Sequence, residues 1–225
     1  MSSQIDDLVG LRRGHVCIAI IDALAKGFIA TVVRNVRREF PGITIELKVL
    51  NNVDVQGVVQ RGEVDFGLML APQTSKDIIV QNHRDIVLGV ITQPDHQLAS
   101  MPGIRFSRCV EYPIVAPAEP LALCDQVNAL QAATGIVLSP AISSDNIQMI
   151  KSLVIDGAGV GILTSLDVIE EVRLGELAFV PLEDGILRPI PLALCVGQAR
   201  QLSHAARLLL DRVEQALLQR AFPAA

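Results

Sequence analysis

Tryptophan is absent from the 225 residues, tyrosine occurs once, and aromatic residues make up only 3% of the chain. A core so short of rings has to be built from Val, Ile, Leu and Ala, the palette of buried parallel strands covered by helices. No stretch approaches the roughly 18 consecutive apolar residues of a membrane-crossing helix, and the opening MSSQIDDLVGLRRGH lacks the apolar block of a secretion signal. A cytoplasmic location with no membrane partner is therefore expected. Basic charge is short as well: 19 Lys and Arg stand against 24 Asp and Glu, for a net charge of −5. Gripping a phosphate backbone needs clustered cations that displace counterions, so this polypeptide is not expected to hold DNA by itself. Cys17, Cys109, Cys124 and Cys195 lie far apart, with no CxxC and no Cys/His ligand spacing. Neither a metal site nor a disulfide framework is indicated, and the four read as reduced, packed thiols.

What is present is an apolar half of the chain with no low-complexity run, enough hydrophobic surface to offset the entropy of folding. HVCIAII at residues 15–21 reads as a strand, followed by a helical face of Leu24, Phe28, Ile29, Val32, Val33 and Val36. Pro41-Gly42 stops that helix, and ITIELKVL alternates as a second strand. Val55, Val58 and Val59 fit a short helix ended by Gly62, and VDFGLML is a third strand. This βαβαβ order implies a parallel sheet with crossover helices. DIVLGVI reads as one more strand, after which TQPDHQLASMPG breaks the rhythm and a second unit begins. There EYPIVAP, GIVLSPAI, GVGILT and LAFVPLED read as strands, with helices over LCDQVNALQAAT and SDNIQMIKSLVIDGAG. Ile147, Ile150, Leu153 and Val154 face inward on the latter. RPIPLALCV runs back, and if it returns to the first unit the last helix, over about 203–220 with Ala206, Leu209, Val213, Ala216 and Leu217 at helical spacing, belongs there too.

Taken in order, several segments resemble the effector-binding domain of LysR-type transcriptional regulators. They are LRRGHVCIAI followed by Leu24-Ala25, EFPGITIEL, VVQRGEVDFGL, Gln93-Pro94-Asp95-His96-Gln97-Leu98-Ala99, and IKSLVIDGAGVGIL with Gly157, Gly159 and Gly161. No one of these is decisive; their order over some two hundred residues is far more specific. The resemblance implies an α/β fold of two Rossmann-like lobes joined by two hinge crossings, like the type II periplasmic binding proteins. Residues 1–13 are then the remnant of a linker helix, 14–92 with 195–225 form lobe one, and 93–194 form lobe two, with the hinge near 91–94 and 192–196. It also implies a small-molecule effector between the lobes, a homodimer, and a tetramer in the full protein. DNA would be reached only through an N-terminal winged helix-turn-helix that this polypeptide does not contain.

Asp22 follows the first strand and precedes the first helix, where the resemblance places a polar cleft residue, with Ala23 beside it. Free N–H groups and the macrodipole at a helix start attract anionic groups, although plain capping by Asp22 is the competing role. Ser143, Ser144 and Asn146 straddle the start of the lobe-two helix, again with capping, by Ser144 or Asp145, as the structural alternative. Thr92 at the first crossing and Thr164 after GVGIL are candidate hydroxyl contacts. Met69, Leu70 and Ala71 end a strand at the expected lip and supply an apolar wall. The effector implied is a small polar or carboxylate-bearing metabolite, and Asp22 favours one with a hydroxyl or ammonium group.

No catalytic residue and no cofactor is expected. His15, His83, His96 and His204 fall in four different elements, and no GxSxG elbow places a serine nucleophile. GAGVG at 157–161 leaves a helix and enters a strand, the reverse of a dinucleotide loop, so it serves helix termination and close packing. Redox sensing would need a low-pKa thiol, and Arg108 beside Cys109 is slim support for one. Two rivals share the bilobal fold: a solute receptor for transport, and an enzyme. A signal peptide encoded upstream would mark the first; a committed acid, base or cofactor residue in the cleft would mark the second.

Overall fold

The apolar run at the start of the chain becomes β1 (Gly14–Ile21), whose residues from Val16 onward are all buried. Burial on both faces is the signature of a central parallel strand. The computed structural model describes residues 13–25, 27–73 and 75–219, and places β1 parallel to both β2 (Ile43–Leu50) and β3 (Phe66–Leu70). β4 (Ile78–Ile86) and β10 (Ile190–Gly197) complete a five-stranded sheet in the order β2-β1-β3-β10-β4, with β10 antiparallel to β3. Helix α1 (Phe28–Glu39) buries Phe28, Ile29, Val32 and Val36 along one stripe, and α2 (Asn52–Gln60) buries Val55, Val58 and Val59. Asp65, 6% exposed, clamps the start of β3: it accepts the Cys17 N–H at 2.9 Å and two guanidinium bonds from Arg200 at 2.9 and 3.3 Å.

A second sheet has the order β7-β6-β8-β5-β9. Its strands are β5 (Leu88–Thr92), β6 (Ile114–Pro117), β7 (Ile142–Ser144), β8 (Val160–Thr164) and β9 (Ala178–Pro181). β6 runs parallel to β7 and β8, whereas β5 is antiparallel to β8 and β9. Helices α3 (Ala122–Thr134), α4 (Ile147–Ile155) and α5 (Ile169–Leu174) accompany it. The core is aliphatic, with Phe106 its one fully buried ring. Gly159 allows β8 to start against the 3-10 turn at Phe106–Glu111 that precedes Tyr112 and Pro113. Its φ is +151° and an added Cβ would lie 2.3 Å from the Pro113 carbonyl oxygen. The last helix, α6 (His204–Gln219), packs on β1 and α1 of the first sheet and buries Ala205, Ala206, Leu209, Leu210, Val213 and Leu217.

The described residues divide into two compact units, 13–84 with 191–219 and 85–190. The chain thus changes unit at 84–85 and at 190–191, earlier on both passes than the expected crossings near 91–94 and 192–196. β5 accordingly belongs to the second sheet, and residues 192–194 to the first. The reason is that β4 and β5 are separated only by Val87, so the chain switches sheets inside what reads as one apolar run. β4 itself was not expected, because its polar side chains IIVQNHRDI give an edge strand no continuous apolar signal. GIVLSPAI is not a strand: residues 136–140 are irregular after Gly135 closes α3 in the left-handed conformation, and pairing begins only at Ile142. Leu24 sits in a 3-10 turn at Asp22–Leu24 and α1 begins four residues later, after Gly27 at φ +79°. The supposed linker remnant, apart from Arg13, lies outside the described residues.

Candidate functional site

Because β1, β2 and β3 are parallel, their carboxyl ends lie along one edge of the first sheet, which gathers the Asp22–Leu24 turn, Asn51-Asn52 and Leu70-Ala71. Asn52 binds that edge together: its Oδ1 accepts the Leu70 N–H at 2.7 Å and its Nδ2 donates to the Leu70 carbonyl at 2.9 Å. Ala71 continues at φ +39° with its N–H donated to the Pro191 carbonyl. A positive φ on a residue with a Cβ stores strain that the surrounding bonds have to hold. Asp22 is exposed and Ala23 half-buried. Asp22 does not cap α1, which starts at Phe28, and its carboxylate accepts no hydrogen bond among the described residues.

The parallel strands β6, β7 and β8 likewise bring Pro117, Ser144 and Thr164 to one edge of the second sheet. The Ser144 carbonyl accepts the Ala118 N–H, and its Oγ accepts the Asn146 N–H at 3.1 Å. Asn146 is the N-cap of α4, its Oδ1 accepting the Met149 N–H at 3.0 Å. Ser143 and Asn146 are exposed, and Met149, 52% exposed, puts an apolar side chain on the first turn of the same helix. Beneath them Lys151 and Glu171, each 3% exposed, form an ion pair at 2.9 Å, and Lys151 also donates to the Asp167 carbonyl. Asp167 in turn accepts both the N–H and the hydroxyl of Thr164, at 2.9 and 2.6 Å.

The expected contacts are therefore not equally available. Met69 is fully buried in β3, while Leu70 is half-buried and Ala71 exposed. Thr164 is 3% exposed with its hydroxyl committed to Asp167. Thr92 lies apart from the other candidates of the second unit. β5 opposes β8, so Thr92 lies at the amino end of β8, the far edge from Ser144 and Thr164, and its buried hydroxyl donates to the Gln93 carbonyl. Asn52, Asp167 and Lys151 were missed. Lys151 had a readable signal, since it occupies the i+4 position of the inward stripe Ile147, Ile150 and Val154. His96 accepts the Leu98 N–H and stands edge-on to Tyr112, with ring centroids 5.3 Å apart.

Burial pushes the Cys109 thiol up to about 12, with the nearby Asp184 charge adding to it, and burial pushes Cys195 up to about 12. Cys17 is raised by burial and then by the Glu46 charge. Such thiols are poor thiolates and poor metal ligands. Among the described residues no three His, Cys, Asp or Glu side chains group as metal ligands, and no helix is long and apolar enough to cross a membrane.

The family model for the LysR substrate binding domain matches residues 10–218. The chain is 24% identical over 211 residues to the HTH-type transcriptional activator CmpR of Synechocystis, an alignment covering 94% of this chain and 69% of that protein. Among solved structures, it resembles the regulatory domain of Synechocystis CcmR in complex with 2-PG, with a TM-score of 0.77 and 21% identity over 92% of this chain and 99% of that one. It also resembles the BenM effector binding domain with its effector benzoate, with a TM-score of 0.69 and 20% identity over 89% of this chain and 90% of that one.

Proposed function

This chain belongs to the LysR substrate binding domain family, whose type II periplasmic-binding-protein-like fold it shares, and from that premise we propose which residues read the effector. The observation that carries the proposal is the cluster of exposed Ser143, half-buried Ser144 and exposed Asn146 at the carboxyl end of β7 and the start of α4. It offers hydroxyl and amide groups beside free helical N–H donors, a combination that binds polar and anionic groups. In the first unit, Asp22, Ala23, Leu70 and Ala71 occupy the equivalent strand-end edge and offer a carboxylate beside an apolar wall. The effector is a small polar or carboxylate-bearing metabolite. Asp22 repels a bare carboxylate and favours a hydroxyl or ammonium group at its side. Asn52 and Asp167 hold the edges in place.

The domain is not an enzyme on this reading, since the strand-end groups are hydroxyls, amides and the carboxylates of Asp22, Asp145 and Asp167, and among the described residues no histidine hydrogen-bonds to the Ser144 or Thr164 hydroxyl. It works in the cytoplasm as a homodimer, within a regulator whose DNA-binding part is a separate domain and whose full assembly is a tetramer. Effector binding acts by favouring one of two conformations of the domain, because only differential affinity for two conformations moves an equilibrium.

Differential scanning fluorimetry against a panel of small hydroxylated, amino and carboxylic metabolites, with benzoate among them, tests the site. A ligand of the native state raises the midpoint by mass action. Ser144→Ala and Asp22→Ala should each reduce the shift given by a hydroxylated or amino hit, whereas Asp22→Asn should increase the shift given by benzoate. A hit whose shift survives both alanine variants unchanged would place the effector elsewhere.

A further inference from the structure

Within the second unit, α3 presents an exposed stripe to the segment that joins β9 to β10, and between them lies a cavity of about 390 Å3. The volume arises from side-chain size. Ala129 and Ala133 carry only methyl groups one turn apart, flanking the buried Leu130, and Leu88 adds a further buried apolar surface. Sites for small molecules run from roughly 300 to 1,000 Å3, mostly apolar with a few polar anchors. Two such anchors stand in the β9–β10 segment, Asp184 and Arg188. The Asp184 carboxylate is oriented by the Phe106 N–H, donated to its Oδ2 at 2.7 Å, which leaves Oδ1 without a partner among the described residues. Arg188 is exposed, and its guanidinium makes no ion pair or hydrogen bond among the described residues.

An open cleft with an apolar floor at Leu88 and Leu130, and with one positive and one half-satisfied negative group at its rim, matches a ligand that carries both opposite charges on a small apolar body. A monoanion would leave Asp184 facing it, and an amine would leave Arg188 facing it; a zwitterion satisfies both through charge-assisted hydrogen bonds. We propose that this cavity is a second ligand site, for an apolar α-amino acid. Its carboxylate lies on Arg188, its ammonium on Asp184, and its side chain over Leu88 and Leu130. The site is distinct from the strand-end residues assigned to the effector and lies wholly among residues 85–190.

Isothermal titration of the whole chain with L-phenylalanine tests this. Saturable binding is expected, and Arg188→Met, which keeps the apolar stem, should weaken it about tenfold or more, as expected for loss of a charge-assisted contact. Ala133→Leu should abolish the heat by filling the cavity. 3-Phenylpropanoate and 2-phenylethylamine, each lacking one charge, should bind at least about tenfold more weakly than the amino acid. Ser144→Ala should leave the titration unchanged, so that this site and the effector site fail separately. Absence of saturable heat at millimolar L-phenylalanine, wild-type affinity in both Arg188→Met and Ala133→Leu, or equal affinity for 3-phenylpropanoate would each overturn the proposal. So would loss of the heat in Ser144→Ala with Arg188→Met unaffected, which would put the ligand at the strand ends.

Discussion

At the start of α4 the Asn146 amide is committed to the Met149 N–H, so a single residue stabilises the helix and stands at the proposed effector edge. The two roles separate experimentally. Removing the cap in Asn146→Ala should cost about 1 kcal/mol, visible as a thermal midpoint lower by about 2–4 °C in a chain of this size. Asn146→Asp keeps an N-cap acceptor and should restore the midpoint, whatever it does to ligand binding. The buried thiols give a second residue-scale expectation. Cys109 and Cys195 titrate near 12 when folded against an ordinary value of 9.0. The folded state therefore keeps protons that the unfolded chain releases. Their contribution is fully present below pH 9 and is lost as pH rises toward 12. Urea unfolding at neutral and at alkaline pH should show a smaller alkaline loss in Cys109→Ala/Cys195→Ala than in the unaltered chain. A thiol reagent at mildly alkaline pH should label the half-buried Cys124 well before these two.

Elements are held to one another by a few buried polar links as well as by aliphatic packing. Lys151 of α4 and Glu171 of α5 are paired at 2.9 Å with both side chains 4% exposed, and the same lysine holds the Asp167 carbonyl that follows β8. Removing one partner leaves a charge buried alone, so Lys151→Met should destabilise by about 3–5 kcal/mol, and Lys151→Met/Glu171→Leu should recover much of it. Chemical denaturation of the single and double variants reads both outcomes; an unchanged midpoint in the single variant would deny the pair its structural role. Most elements were legible because the apolar period matched the structure. ITIELKVL is β2 residue for residue, and GVGILT encloses β8. Where the period failed, a local reason can be named. Gly27 at φ +79° delays α1 past Asp22, which removes that residue from the capping role. Gly135 and Pro140 keep an apolar segment out of the sheet until Ile142.

At the scale of the molecule, two units of similar chemistry are built from one chain that passes between them twice. Homodimerisation is the expected assembly, and light scattering on the order of tens of micromolar should report twice the mass of one chain, since association is set by mass action. A monomer throughout that range would remove pairing from the proposal. Local patterning decided much of this protein unaided: the aliphatic core, the βαβαβ order of the first unit, and the family to which the order of segments points. Tertiary structure alone decided which sheet takes β5, that Thr92 ends on the opposite edge from Ser144 and Thr164, and that Lys151 is buried against Glu171. The division has a physical cause. Periodicity records which face of an element avoids water, whereas strand direction and ion pairing depend on partners remote in sequence, chosen by the burial and hydrogen bonding that the whole unit gains.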